Sequence, residues 1–256
     1  MPRLGLLAHV AVRSAVAREL GRDIEYHASI DSTQVRARAL AGAGAGAFIV
    51  VADQQLAGQG THGRVWQAAA GTSLLASWIV RPAPAAPALF AALAGVAMAR
   101  SLDTLGATGA HLKWPNDVEL AGKKVAGALA HGSSDGGGGV LVLGIGVNVH
   151  QEADDFPAEL RASATSLAIA GRAVDRLALL ARLTQELDRL DDSGGRAVAM
   201  AEWRERSTLI GRQVEVRTAG RDALAGVATA IDEDGALLVR TSTGMERVFA
   251  GDVREL

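Results

Sequence analysis

The chain has no cysteine among its 256 residues. Disulfides, thiolate metal sites and cysteine nucleophiles are therefore all excluded. Aromatic residues are also scarce, at 4%, and 26 basic residues nearly balance 28 acidic ones. This balance gives no overall polycationic signal for nucleic acid. The 49% hydrophobic content is nevertheless typical of a chain that folds around a core.

A membrane-spanning run is missing as well. The longest uncharged run, from Pro82 to Ala99, is mostly alanine and contains three prolines near its start. This pattern favours a core helix that is entered through prolines. The N-terminus only faintly resembles a signal peptide, because His9 and Arg13 interrupt its apolar stretch. We therefore expect a cytoplasmic protein that does not span a membrane.

Lysine and asparagine are unusually rare. Of the 26 basic residues, 23 are arginine and three are lysine, and asparagine occurs twice. All of these lysines and asparagines lie between positions 113 and 148: Lys113, Asn116, Lys123, Lys124 and Asn148. Lysine supplies a compact point charge that the planar guanidinium of arginine does not reproduce. The segment is therefore predicted to carry the chemistry.

The hydrophobic pattern predicts two units. Up to about residue 207, strands alternate with helices, which indicates an α+β domain with a mixed sheet flanked by helices. From Gly211 onward, short strands separated by glycine turns indicate a small β-barrel. We predict a catalytic domain over residues 1–207 and a C-terminal domain over residues 208–256. The predicted strands cover 24–30, 48–51, 72–80, 111–114, 123–130, 140–147, 213–218, 224–231, 236–241 and 246–250. The predicted helices cover 1–20, 32–40, 84–105, 175–190 and 196–206.

A long segment without periodicity, Gln54–Gly71, follows the buried strand 48–51. Loops of this length in a compact domain are usually functional or disordered. Its glycines let backbone amides approach an anion, and Arg64 adds a donor for phosphate or carboxylate. The spacing Gly58-x-Gly60-x-x-Gly63 fits the dinucleotide fingerprint, but no amphipathic helix follows, so we reject a Rossmann site. Taken alone, the composition of this loop fits a flexible surface loop as well as a loop that binds a ligand.

The segment Lys113–Asp117 lies at the end of a predicted strand. Its proline forces a turn, which directs a cation, an amide and a carboxylate into one small volume. Such an aspartate can hold Mg²⁺ against substrate phosphates, although a solvated turn explains the spacing equally well. Lys123 and Lys124 open the next strand and should point to opposite faces. Asn148 offers a donor and an acceptor that suit a nucleobase edge.

Together these motifs resemble those of bacterial biotin protein ligases. The resemblance covers about residues 24 to 256, because the C-terminal strands are also similar to the SH3-like domain of that family. It implies a class II synthetase-like fold and an enzyme that forms biotinyl-5′-AMP from biotin and ATP. The biotinyl group then passes to a lysine of the biotin carboxyl carrier protein of acetyl-CoA carboxylase. The matching elements, in the order of the family, are Asp31 to Thr33, Gln55, Gly58 to Trp66, Lys113 to Asp117, Lys124 to Gly127, Gly144 to Asn148, and Ala164 to Leu167.

The resemblance also implies roles for individual residues. Three cations are the implied catalytic groups, because both reactants are anions: Lys124, Lys113 and Arg64. The residues implied for biotin are Ser32, Thr33, Gln34, Gln55, Gln59, Gly60, Thr61, Lys124 and Gly127. The residues implied for ATP are Gly58, Gly63, Arg64, Trp66, Asn116 and Asn148, and Asp117 is implied for Mg²⁺.

The sequence departs from the family pattern in the glycine-rich loop. The family usually has Gly-Arg-Gly-Arg-x-Gly-Arg-x-Trp, whereas Gln59 and Thr61 replace two of the arginines and only Arg64 remains. The loss of two cations near a phosphate predicts weaker retention of the adenylate. A milder difference is Gln34, which stands where the family often has asparagine.

Two other functions stay open at this point: a biotin-binding protein with weakened catalysis, and a lipoate ligase-like enzyme of the same fold. The Lys-Trp-Pro-Asn-Asp element favours biotin. About 23 residues precede the first predicted strand. These are too few for the winged helix-turn-helix of the family's repressors, so we expect no DNA binding. The sequence does not fix the oligomeric state, and a homodimer is compatible with it.

Overall fold

A mixed sheet of seven strands forms the centre of the larger unit, in the order β1-β2-β3-β7-β6-β5-β4. The computed structural model describes residues 4–84, 86–133, 139–190, 193–218, 220 and 222–256. Strands β1 and β2 are parallel, and the other neighbouring pairs are antiparallel. The strands are β1 (Asp23–His27), β2 (Phe48–Ala52), β3 (Ser73–Val80), β4 (His111–Lys113), β5 (Asp117–Leu120), β6 (Lys123–Ser133) and β7 (Val140–Asn148).

Helices cover both faces of this sheet. The helices are α1 (Val10–Leu20), α2 (Thr33–Gly42), α3 (Pro87–Thr104), α4 (Arg176–Asp188) and α5 (Ser193–Arg206). Helix α3 packs against β6, α4 and α5 on one face, where Trp78 donates a 3.0 Å hydrogen bond to Thr184. On the other face, Ala37 and Ala41 of α2 pack against Val50. Because α2 is short, it leaves part of that face open beside it.

The alanine-rich segment forms the predicted core helix. The side chains of Leu93, Val96 and Ala97 in α3 are fully buried, which small residues permit because they let a helix pack closely. Among the described residues, we find no helix with the length and apolarity that a membrane crossing requires.

The predicted α+β class, with a mixed sheet flanked by helices, is confirmed. Some boundaries were wrong. The predicted N-terminal helix is divided into a 3₁₀ turn, Leu4–Ala8, and α1. The first strand ends at His27, and Ile30 forms only an isolated bridge with Gln55. The glycines at 136–139 separate the predicted strands 123–130 and 140–147 and predict a hairpin turn, but most of them lie outside the described residues.

The C-terminal unit is an antiparallel sheet in the order β11-β10-β9-β8-β12. Its strands are β8 (Gln213–Arg217), β9 (Leu224–Ile231), β10 (Leu237–Arg240), β11 (Met245–Val248) and β12 (Asp252–Glu255). The sequence pattern missed β12, which pairs with β8. The unit contacts the larger sheet at β4, because Thr208 N donates to Leu112 O (2.9 Å) and Trp114 Nε1 donates to Gly235 O (3.0 Å). These contacts lie beside the Lys113–Asp117 segment. The boundary at residue 207 and the SH3-like architecture stay predictions.

Candidate active site

A cleft lies where α2 and the glycine loop, Gln54–Gly71, meet the middle strands β3, β6 and β7; we call it the inner cleft. Leu75, Leu129 and Ile145 give it an apolar wall. All residues that the family resemblance assigns to biotin line it: Ser32, Thr33, Gln34, Gln55, Gln59, Gly60, Thr61, Lys124 and Gly127. Polar groups beside an apolar wall suit a small amphipathic ligand.

The end of the inner cleft beside α2 is strongly polar. Ser32 caps α2, which brings Thr33 and Gln34 to the sheet in a buried position. Gln55 Oε1 accepts hydrogen bonds from Thr33 N (2.8 Å) and Thr33 Oγ1 (3.0 Å), so Gln55 retains its NH₂ group for a ligand. Gln34 Nε2 donates to Leu129 O (2.8 Å), which leaves Gln34 Oε1 as an acceptor. The cleft end therefore presents both a donor and an acceptor.

Trp66 of the glycine loop lies directly on the floor of the cleft. A Cβ atom at Gly146 would lie 2.6 Å from the Trp66 ring, so only glycine permits this contact. Lys124 Nζ lies 5.7 Å from the centroid of the same ring, within the range of a cation–π interaction. Trp66 Nε1 is buried and has no hydrogen-bond partner among the described residues. The Trp66 ring thus packs the glycine loop against Gly146 of β7, beside Lys124.

A second cleft adjoins the first; we call it the outer cleft. It shares Gly60, Thr61, Trp66 and Lys124 with the inner cleft. Its other lining residues include Arg64, Lys113, Asp117, Glu119, Asn148, Phe156 and Leu160. The three cations that were predicted to be catalytic therefore lie around one space, and Lys124 stands where the two clefts meet.

The lysines of the outer cleft face carboxylates on β5. Lys124 Nζ lies 2.6 Å from Asp117 Oδ1, and Lys113 Nζ lies 3.6 Å from Glu119 Oε1. Lys123 precedes Lys124 on β6 but donates to Arg161 O (3.1 Å) instead. Of these two neighbouring lysines, Lys124 is the one in contact with Asp117.

A family model described as the biotin/lipoate A/B protein ligase family matches residues 27–148, and one described as the biotin protein ligase C terminal domain matches residues 209–254. The chain is 36% identical to the biotin–acetyl-CoA-carboxylase ligase of Mycobacterium tuberculosis, with 92% of this chain and 90% of that protein covered. The chain belongs to the biotin protein ligase family. It is also 32% identical to the bifunctional ligase/repressor BirA of Bacillus subtilis, with 97% and 79% covered.

Solved biotin protein ligases share the fold. The chain matches the biotin protein ligase from Aquifex aeolicus in complex with biotin and ATP with a TM-score of 0.76. The identity is 26%, and the match covers 91% of this chain and 99% of that one. The family predicted from the sequence motifs is therefore confirmed.

The glycine loop forms a small turn where Gln59 and Thr61 depart from the family pattern. Gly60 N donates to Arg64 O (2.8 Å), and residues 61–63 form a 3₁₀ turn that ends at Gly63 with a φ of 73°. Gly58 is equally constrained, because a Cβ there would lie 2.5 Å from Trp66 O. Arg64 forms an exposed ion pair with Asp252 of the C-terminal sheet. The arginine that this loop retains is thus in contact with the second unit.

The two asparagines are held by hydrogen bonds. Asn116 Nδ2 donates to Ala128 O, which fixes the turn before β5 against β6. Asn148 is buried; its Nδ2 donates to Thr165 O (3.0 Å) and its Oδ1 accepts from Gln151 Nε2 (2.9 Å). Asn148 therefore uses a donor and an acceptor within the protein, which favours a role in supporting the cleft. Its predicted contact with a nucleobase stays a prediction.

The start of the glycine loop is anchored by a buried network that the sequence pattern did not reveal. Arg176 Nη1 donates to Asp53 Oδ1 (2.8 Å), and Tyr26 OH donates to Asp53 Oδ2 (2.7 Å). Burial and the Asp53 carboxylate raise the pKa of Tyr26 to about 12. Gly71 N also donates to Asp53 O (2.8 Å), so one residue holds both ends of the loop.

Glu119 is a second site residue that the sequence pattern missed. Its pKa is raised, chiefly because of burial and also because of the nearby Asp117 charge, whereas Lys113 acts in the opposite direction. It stands two residues after Asp117 on β5, so strand alternation places both carboxylates on one face. The family motif ends at Asp117, so the motif did not indicate Glu119 as a site residue.

Proposed function

We propose that this chain is a biotin protein ligase that joins biotin to ATP and transfers the biotinyl group to a carrier protein. The observation that carries the proposal is the position of Lys124 where the inner and outer clefts meet. One cleft has the chemistry for biotin, and the other has the cations for a triphosphate. A reaction between the two ligands must take place at their junction.

The polar end of the inner cleft suits the ureido ring of biotin. That ring has one carbonyl oxygen and two N–H groups, so it needs both donors and acceptors. Gln55 retains an NH₂ group and Gln34 retains Oε1, and the hydroxyls of Ser32 and Thr33 can do either. The apolar wall then accommodates the carbon and sulfur atoms of the ring system. The biotin carboxylate would extend towards Lys124.

The first step is attack of the biotin carboxylate on the α-phosphorus of ATP, with pyrophosphate as the leaving group. Both reactants are anions, so their approach is opposed by charge until cations neutralise them. Lys124 would contact the carboxylate and the α-phosphate together. Lys113 and Arg64 line the outer cleft, where the leaving pyrophosphate develops charge. A group that stabilises such charge contributes about 10²- to 10³-fold to the rate.

Mg²⁺ is the metal that the family resemblance implies, and the donor set of the outer cleft fits it. Mg²⁺ prefers oxygen ligands and commonly takes one or two carboxylates together with substrate phosphates. Asp117 supplies a carboxylate among the cations of that cleft. When bound, the metal would add positive charge at the phosphate oxygens. Asp117 is thus the residue we assign to it.

In the second step the amine of a carrier lysine attacks the mixed anhydride and AMP leaves. We propose the biotin carboxyl carrier protein of acetyl-CoA carboxylase as this carrier, since related ligases are named for that complex. A cytoplasmic location and the absence of DNA binding stay predictions, and a homodimer stays compatible with the sequence.

The family model that matches residues 27–148 also covers lipoate ligases, whose substrate has a dithiolane in place of the fused rings of biotin. A dithiolane offers no N–H or carbonyl group to Gln34 and Gln55, and their amides would be left without partners. Unpaired buried polar groups cost about 1–3 kcal/mol each. The polar end of the inner cleft therefore favours biotin over lipoate.

Pyrophosphate release tests this function. The purified chain with ATP and Mg²⁺ should release pyrophosphate when biotin is added and should release far less with lipoate. Addition of a carrier domain should then give a biotinylated carrier, detected with labelled streptavidin. Tight biotin binding without pyrophosphate release would instead identify a binding protein, and faster release with lipoate would identify a lipoate ligase.

A further inference from the structure

Glu119 lies in the charged part of the site without an assigned role. Its side chain is 13% exposed and lines the outer cleft together with Lys113, Asp117 and Lys124. A carboxylate in a cleft that is to receive a triphosphate repels the ligand unless a cation stands between them. Either Glu119 opposes nucleotide binding, or it has a further partner when the nucleotide is bound.

The ion pairs of the outer cleft show which partner is needed. Each of the three cations around the cleft contacts a carboxylate: Asp117, Glu119 or Asp252. When these cations also contact phosphate oxygens, they neutralise the carboxylates less completely. The carboxylates and the phosphates then compete for the same positive charges, and a further cation would relieve that competition. A divalent cation meets this need, because carboxylates and phosphates can share it as ligands.

Only the two carboxylates on β5 are placed to share one ion. Asp117 and Glu119 stand two residues apart on the same face of the strand, and both line the outer cleft. Asp252 belongs to the C-terminal sheet instead. Among the described residues, no group of three or more His, Asp or Glu side chains could hold a metal. Two carboxylates match the preference of Mg²⁺, which keeps its other positions for water and phosphate oxygens.

We propose that Glu119 is the second protein ligand of the Mg²⁺ that accompanies ATP, beside Asp117. When ATP and the metal bind, Glu119 contacts the metal instead of Lys113, and Lys113 contacts phosphate. The inference rests on the proposed function, since it takes ATP as the substrate. The positive charge of the metal would matter more in this chain, because Gln59 and Thr61 leave the glycine loop with fewer cations than the family pattern has.

Binding of Mn²⁺, measured by electron paramagnetic resonance, tests the proposal without turnover. The probe is Mn²⁺ with α,β-methylene-ATP, which cannot be cleaved at the reacting bond. Glu119→Gln and Asp117→Asn should each weaken Mn²⁺ binding to the complex about tenfold or more, as loss of an interaction at a metal centre commonly does. Glu119→Asp, which keeps the charge but shortens the reach, should give an intermediate value. The matched control is Glu19→Gln, an exposed residue of α1 beside the opposite edge of the sheet.

A second measurement separates a metal ligand from a mere counter-ion of Lys113. In EDTA, Glu119→Gln should bind α,β-methylene-ATP more tightly than the parent, because a carboxylate has left the phosphate site. With Mn²⁺ present, the same variant should lose affinity for the metal. Unchanged Mn²⁺ affinity in folded Glu119→Gln and Glu119→Asp overturns the proposal and leaves Glu119 as a counter-ion. Failure of the parent to release pyrophosphate with biotin, while Mn²⁺ binding still depends on Glu119, would overturn the proposed function alone.

Discussion

Replacement of Lys124 by alanine should remove most adenylate formation while the protein stays folded. The side chain is 37% exposed and its Nζ contacts Asp117, whose side chain is 25% exposed. Such a partly exposed ion pair contributes about 0–1 kcal/mol to the free energy of unfolding. In the reaction, by contrast, Lys124 is the cation between carboxylate and α-phosphate. Its loss should lower the rate of adenylation about 10²- to 10³-fold, which corresponds to about 2.7–4 kcal/mol.

Pyrophosphate release at saturating biotin and ATP measures this effect, and a thermal melt checks folding. Lys123→Ala is the matched control, because it removes the same side chain one residue earlier on β6, where the amine donates to Arg161 O. That variant should keep most of its activity. Lys124→Arg should not restore the rate fully, since a planar fork does not reproduce a compact ammonium. Equal activities of the Lys124→Ala and Lys123→Ala variants would refute the assignment.

Three further changes test other parts of the account. Gly146→Ala should displace the indole ring of the glycine loop at a cost of about 1–3 kcal/mol, seen as changed tryptophan fluorescence and weaker biotin binding; an unaltered biotin affinity would contradict the close contact. Gln59→Arg with Thr61→Arg should slow dissociation of biotinyl-5′-AMP by about two to four decades, since each of the two charge-assisted bonds contributes about 1.5–3 kcal/mol; equal dissociation rates would show that the parent loop suffices. Asp252→Asn should free Arg64 for phosphate and lower the KM for ATP, and a raised KM would show that the ion pair holds the loop in its working position.

The sequence predicted the parts of the fold that depend on local pattern. Helix α3 was found because the uncharged run Pro82–Ala99 is rich in alanine and has its prolines near the start. The strands around Val50 and Val142 were found because they are continuously apolar. Strand β5 was missed because it has only four residues and begins within the motif at Asp117. Strand β12 was missed because Asp252–Glu255 is almost entirely polar.

The site was predicted where consecutive residues share a role and missed where contacts join distant segments. Lys113, Asp117 and Lys124 were predicted as a group because their residue types and spacing suggest phosphate chemistry, and the structure brings all three to the outer cleft. Glu119 gave no signal, because its contact with Lys113 exists only once β4 pairs with β5. Gln151 gave none either, because its hydrogen bond to Ser73, 78 positions earlier in the chain, forms only once β3 pairs with β7. Pairings of this kind arise from tertiary structure, which residue spacing does not encode.

Direct detection of the adenylate tests the central claim, that biotin and ATP react where the two clefts meet at Lys124. The parent protein, incubated with biotin, ATP and Mg²⁺ without a carrier, is denatured, and the released nucleotides are identified by mass spectrometry. We predict biotinyl-5′-AMP from the parent and from Lys123→Ala, an initial rate of formation about 10²- to 10³-fold lower in Lys124→Ala, and little lipoyl-AMP when lipoate replaces biotin. Absence of biotinyl-5′-AMP from the folded, biotin-bound parent would contradict the claim.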